Sequence, residues 1–171
     1  MRKGPSRLNQ PVHFTPSIAI MVHVLESSQI IPASIERAWD FFSDPRNLAK
    51  ITPPELDFTI LTALPERVYA GMMIEYRVRP LLGIPVRWVT EITHVEAGKL
   101  FVDEQRIGPY RIWHHEHHFR PLDGGRIEMT DRVTYVLPFG LLGSLVHPFL
   151  VKPQLESIFA FRGKAAVELF C

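Results

Sequence analysis

One cysteine occurs in 171 residues, Cys171 at the very end, so neither a disulfide framework nor a cysteine-ligated zinc site can organise this chain. Charge of one sign is also missing. Basic residues number 19 and acidic residues 18, and the resulting +1 removes the electrostatic case for nucleic acid or an anionic membrane as partner. No stretch approaches the roughly 18 consecutive apolar residues of a membrane span, so no stable membrane insertion is expected. The Gly-x-Ser-x-Gly elbow, the Walker loop and the Gly-x-Gly-x-x-Gly loop are absent, which excludes the common hydrolase and nucleotide-cradle patterns.

What remains is an aromatic-rich chain with 46% hydrophobic residues, 11 Phe, 3 Trp and 8 His. A length of about 100–200 residues suits one domain. Such a domain buries roughly 70% of its unfolded surface and needs no disulfide or metal to hold it together. Residues 1–17 carry Arg2, Lys3 and Arg7 and three prolines. They lack the apolar run of about 7–15 residues that a secretory signal requires. The expectation is a flexible extension over residues 1–20, one ordered domain over 21–171, and a cytoplasmic protein.

Residues 20–31 are apolar and β-branched without helical period, which predicts a strand. Ser34 is an N-cap candidate for a helix with Ile35, Ala38, Trp39 and Phe42 on one face. Asp44-Pro45 ends it, and a further turn from Asn47 to Ile51 runs into Pro53-Pro54. Period two then predicts strands at 56–63, 72–79, 86–96, 100–107, 111–120 and 126–137, joined by short turns and therefore antiparallel. Pro148 and Pro153 predict a kinked or broken start to the last helix, which then runs from Gln154 to Phe170. The apolar stretch Leu137 to Val151 is expected as core or cavity wall. The expected architecture is α+β: an antiparallel seven-stranded sheet on a long C-terminal helix, with two short helices between the first two strands.

Parity assigns the inner face. In 111–120 the even positions His114, Glu116, His118 and Arg120 are polar, while Trp113 and Phe119 bracket His115 and His117 on the odd side. Odd positions also point inward in 126–137, which includes Asp131 and Tyr135, and in 100–107, which includes Asp103, Gln105 and Ile107. With tight turns at Gly108–Arg111 and Asp123–Gly125, Ile107 pairs with Trp113, Gln105 with His115, Asp103 with His117, His117 with Asp131, and His115 with Val133. Asp103, Gln105, His115, His117 and Asp131 thus form a polar cluster on an apolar face. Buried carboxylates must be paired, so the cluster suits a partly hydrated cavity better than a packed core.

Three chemistries fit these residues. A ligand site would use Tyr76, Trp88, Trp113, Tyr135 and Phe159 as wall and the polar cluster to orient one end of a small apolar or amphipathic molecule. An acid–base site would use His117 with Asp103 or Asp131 as its orienting partner. A metal site would draw on His115, His117 and Asp131. Alternation splits the His114–His118 run between two faces and His-rich strands are not specific for a metal, so no metal or cofactor is expected.

A family resemblance joins these readings. Ile31-Pro32-Ala33-Ser34, Trp39-Asp40-Phe41-Phe42-Ser43-Asp44-Pro45-Arg46-Asn47-Leu48, Phe101-Val102-Asp103-Glu104-Gln105, Gly108-Pro109-Tyr110, Trp113-His114-His115-Glu116-His117, Leu137-Pro138-Phe139-Gly140 and Ile158-Phe159-Ala160-Phe161-Arg162 resemble the bacterial ligand-binding branch of the START and pollen-allergen-like SRPBCC superfamily. The likeness covers roughly residues 22–170 and departs at Pro148 and Pro153, where similar proteins run helix. It implies the helix-grip fold with a cavity between sheet and C-terminal helix. It implies no single reaction, since carriers, receptors and cofactor-independent polyketide cyclase/dehydratase-like enzymes share the fold.

Overall fold

The computed structural model describes residues 20–171. The expected N-terminal extension lies almost wholly outside them. Strand β1 (His23–Ile31) leads into helix α1 (Ile35–Phe42) and two 3-10 turns (Pro45–Ile51 and Pro54–Leu56). Strands β2 (Thr59–Ile60), β3 (Met72–Leu81), β4 (Ile84–Glu96), β5 (Leu100–Ile107), β6 (Ile112–Leu122) and β7 (Arg126–Val136) follow. Helices α2 (Leu141–Val146) and α3 (Lys152–Phe170) end the chain. The seven strands form one antiparallel sheet in the order β1-β7-β6-β5-β4-β3-β2. This is the α+β helix-grip arrangement.

Local signals account for most boundaries. Ser34 accepts from the Arg37 N–H at 3.4 Å and starts α1, and Asp44 accepts from the Arg46 N–H at 2.9 Å to start the next turn. The expected strand 56–63 shrinks to Thr59–Ile60. Its approach is spent on the 3-10 turn at Pro54–Leu56, and Asp57 adopts a left-handed conformation with φ of 46°. The β3–β4 turn is tighter than expected, with Leu81 paired to Ile84 and positive φ at both Leu82 and Gly83.

The start of the last helix is irregular, as expected, but it is not broken. Neither proline breaks the chain out of helix. A single π turn at His147–Val151 joins α2 to α3. The wider turn absorbs the missing Pro148 donor, while Pro153 lies in the first turn of α3, where no donor is needed. The Leu137–Val151 stretch is a correction: Phe139 is 82% exposed, Leu142 70% and Phe149 84%. The chain leaves the sheet through Phe139 and Gly140, both at positive φ, and only Gly143 and Val151 of α2 and the π turn are buried.

Two apolar clusters share the concave face. Trp39, Phe42, Phe101, Phe119, Ile127, Met129 and Phe170 fill one end, and Trp88, Trp113, Val133, Tyr135, Leu155 and Phe159 fill the other. Trp39 meets Phe101 and Phe119 edge-on at 6.0 and 5.4 Å, and Phe170 brings the end of α3 against Phe41 at 5.4 Å. The polar group lies where the two clusters meet. His117 stacks on Phe101 at 4.0 Å, and His115 meets Phe159 at 5.4 Å.

Candidate functional site

β5, β6, β7 and α3 each contribute to one buried polar group. In β6, Trp113, His115, His117 and Phe119 are buried while the residues between them are more exposed, as pleating requires. β6 pairs with β7 so that His117 stands opposite Asp131 and His115 opposite Val133, the expected register. β5 is displaced by two residues from the expected register: Asp103 stands opposite His115, and Phe101 opposite His117.

Gln105 accounts for that displacement. Its Nε2 donates to the Tyr110 carbonyl at 2.6 Å and its Oε1 accepts from the Tyr110 N–H at 3.2 Å. The side chain thus closes the β5–β6 loop in place of further ladder bonds and does not join the polar cluster. Gly108 permits this closure, since a Cβ there would lie 2.3 Å from Gln105 Oε1. The same loop turns Ile107, expected inside, out to 56% exposure.

The two imidazoles lie between two carboxylates. His115 Nε2 is 3.0 Å from Asp131 Oδ1, and His117 Nδ1 is 2.8 Å from the same oxygen. On the other side, Asp103 Oδ2 is 2.8 Å from His117 Nε2 and 3.3 Å from His115 Nδ1. The rings themselves are 3.8 Å apart. Burial alone pushes the Asp131 carboxyl up, but the Arg162 guanidinium and both imidazoles outweigh it and hold the group well below the usual range. Asp103 is also lowered, because both imidazoles overcome its burial. Burial pulls His115 down, and the two carboxylates more than restore it, so its pKa rises. His117 is lowered by burial and by its neighbour His115.

Arg162 is the member that sequence reasoning missed as a site residue. It lies on the buried stripe of α3 with Leu155, Phe159, Ala166 and Phe170, and only 8% of it is exposed. Its Nε is 3.5 Å from Asp131 Oδ2 and its Nη2 is 3.5 Å from His117 Nδ1. A cation on an otherwise apolar helical stripe was the available signal.

A cavity of about 190 Å³ opens in front of this group, between the sheet and α3. Of the predicted residues, Tyr76, Trp88, Asp103, Trp113, His115, His117 and Phe159 line it, and Arg162 joins them. Asp131 does not line it; it contacts the edges of both imidazoles opposite to Asp103. Tyr135 does not line it either, and its hydroxyl is 2.7 Å from His147 Nε2. The Tyr76 hydroxyl is 3.0 Å from Thr90 Oγ1 within the wall. Trp88 Nε1 is buried without a hydrogen-bond partner among the described residues.

No helix among the described residues is long and apolar enough to cross a membrane. Among curated proteins, none matches the sequence. Solved structures similar to this chain include the ZhuI aromatase/cyclase of Streptomyces sp. R1128, with a TM-score of 0.68 at 14% identity over 86% of this chain and 93% of that one. Norcoclaurine synthase of Thalictrum flavum gives a TM-score of 0.64 at 14% identity over 89% and 98% of the two chains. A START superfamily protein of Mycobacterium smegmatis gives 0.63 at 15% identity over 86% and 97%. At these identities the likeness establishes the START/SRPBCC fold. The family described as polyketide cyclase/dehydrase and lipid transport matches residues 31–162, which places the buried His–Asp group within the matched region, and the chain belongs to that family.

Proposed function

We propose that this protein binds a small, mostly apolar molecule in the cavity, with one polar end held against Asp103, His115 and His117. The observation that carries this reading is an aromatic and aliphatic cavity with Asp103, His115 and His117 side by side in its lining. Its volume, about 190 Å³, somewhat exceeds the ~150 Å³ that admits benzene. A ligand of one or two rings therefore suits it better than a long acyl chain. The unpartnered Trp88 N–H offers a second polar point to an acceptor on the ligand.

Isothermal titration with 2-naphthol tests this reading, because that probe carries one hydroxyl on a two-ring apolar body. Saturable binding is expected. Ile158 lines the cavity from α3 and is only half-buried, so Ile158→Trp fills the space without crowding the core. That variant is expected to weaken 2-naphthol by at least about tenfold while keeping its melting temperature. Equal affinity in both proteins would refute the cavity as the binding place.

Acid–base catalysis is the second reading, favoured by the His117 Nε2 contact with Asp103 Oδ2 at 2.8 Å, with both groups on the cavity wall. His117→Asn separates the two. Under native mass spectrometry, a dehydratase so altered accumulates a bound precursor heavier by one water, whereas a carrier retains the compound that co-purifies with the wild type.

A further inference from the structure

We propose that Asp103, His115 and His117 form a binding site for a divalent transition-metal ion, with Zn²⁺ as its representative, whose open coordination positions face the cavity. Each of the three residues offers one ligand atom, and these atoms all lie within 4.8 Å of one another. Asp103 Oδ2 is 3.3 Å from His115 Nδ1 and 2.8 Å from His117 Nε2. Donors about 2.0–2.2 Å from a tetrahedral ion sit roughly 3.3–3.5 Å apart, so the Asp103–His115 pair already has that spacing and the Asp103–His117 pair opens by about half an ångström to reach it.

The opposite edges of both rings carry the stronger argument. His115 Nε2 and His117 Nδ1 converge on a single oxygen, Asp131 Oδ1, at 3.0 and 2.8 Å. The His115 contact is a hydrogen bond, and metal-bound imidazoles characteristically donate their remaining N–H to a carboxylate in this way. Asp131 is 1% exposed and stands 3.5 Å from Arg162 Nε, so it remains an anionic acceptor. With the His115 ring proton on the Asp131 side, its Nδ1 lone pair faces Asp103 Oδ2 at 3.3 Å. The same oxygen is hydrogen-bonded to His117 Nε2 at 2.8 Å, and a metal ion held there takes the place of that ring proton.

Access is also suitable. Asp103, His115 and His117 line the cavity and Asp131 does not, which is the division expected between ligands and the group that orients them. Two imidazoles and one carboxylate leave positions open for water or for the polar end of a bound molecule. The proposal adds to the cavity reading without depending on the identity of the organic ligand.

The test uses the full chain after removal of metals by chelation and dialysis, titrated calorimetrically with Zn²⁺. One ion per chain is expected, and Asp103→Asn, close in shape to the original, is expected to weaken it at least about 100-fold. Asp131→Asn is expected to weaken it about 10–100-fold without removing a ligand. The outer face offers a decoy: His114 is 2.9 Å from Glu104, and His118 is 2.7 Å from Glu116. The double variant His114→Gln/His118→Gln is therefore expected to bind like the wild type. Independently of any variant, Co²⁺ is expected to broaden the Trp113 indole N–H resonance, because that ring lies 6.2 Å from His115. Failure of wild-type protein to bind Zn²⁺ while 2-naphthol still binds would overturn the metal site and leave the cavity reading standing. Loss of Zn²⁺ in the outer-face variant with retention in Asp103→Asn would overturn it as well.

Discussion

Arg162→Met is expected to lower the free energy of unfolding by about 3–5 kcal/mol, the cost of leaving one half of a buried ion pair unpaired. Asp131 is 1% exposed, and Arg162 supplies the guanidinium nearest its Oδ2, at 3.5 Å. Methionine fills much of the vacated volume without the charge, so the loss reports on electrostatics more than on packing. Urea unfolding of the wild type, Arg162→Met, Asp131→Asn and the double variant closes a cycle. The double variant should be distinctly more stable than the sum of the two single losses implies, because neither charge is then left alone. A cost below about 1 kcal/mol for Arg162→Met would mean that the imidazoles alone compensate Asp131, and that Arg162 serves the cavity rather than the fold.

Trp88→Ala is expected to cost about 3–5 kcal/mol and to enlarge the cavity toward β4. Trp88 is 6% exposed and packs against Trp113 at 5.4 Å, Tyr110 at 5.7 Å and Tyr76 at 6.0 Å. The loss corresponds to a melting temperature lower by about 10 °C for a chain of this size. Trp88→Phe should cost far less, since it keeps most of the aromatic contact and deletes an N–H that has no partner among the described residues. Function should change in the opposite direction to stability. A three-ring probe such as anthracene-9-carboxylate is expected to bind Trp88→Ala and not the wild type. Equal binding by both proteins would mean that Trp88 does not limit the cavity.

The sequence supports some residues of the site much better than others. The inward placement of His115, His117 and Asp131 follows from strand alternation, which is a property of the extended backbone and is indifferent to what lies above the sheet. The β6–β7 register was equally legible, because Gly124 and Gly125 at φ of 77° and 68° form a short turn that leaves no slack. The β5–β6 register was not. That loop is closed by the side chain of Gln105, and a side chain folding back on its own loop leaves no periodic trace. Parity put Gln105 and Asp103 on the same face, yet only Asp103 reaches the imidazoles.

Helical segments show the same division. Leu155, Phe159 and Ala166 lie on the buried stripe of α3, and their helical spacing is plain in the sequence. Arg162 sits on the stripe too, but its role depends on Asp131, 31 positions earlier in the chain and three elements away. The exposed Phe139, Leu142 and Phe149 are the converse case: apolar residues read as interior that the exit of the chain from the sheet leaves outside.

By itself the sequence determined the order of elements, the antiparallel meander, and which side chains of β6 and β7 point inward. These are set by local periodicity and turn chemistry, which act over a few residues. Only the tertiary structure decided that one carboxylate would face the cavity and the other the far edges of both imidazoles, and that an arginine from the last helix would stand beside the latter. Those outcomes depend on strand register and helix docking, where the energy lies in contacts between residues far apart in the chain and no short-range pattern encodes the distance between two charges.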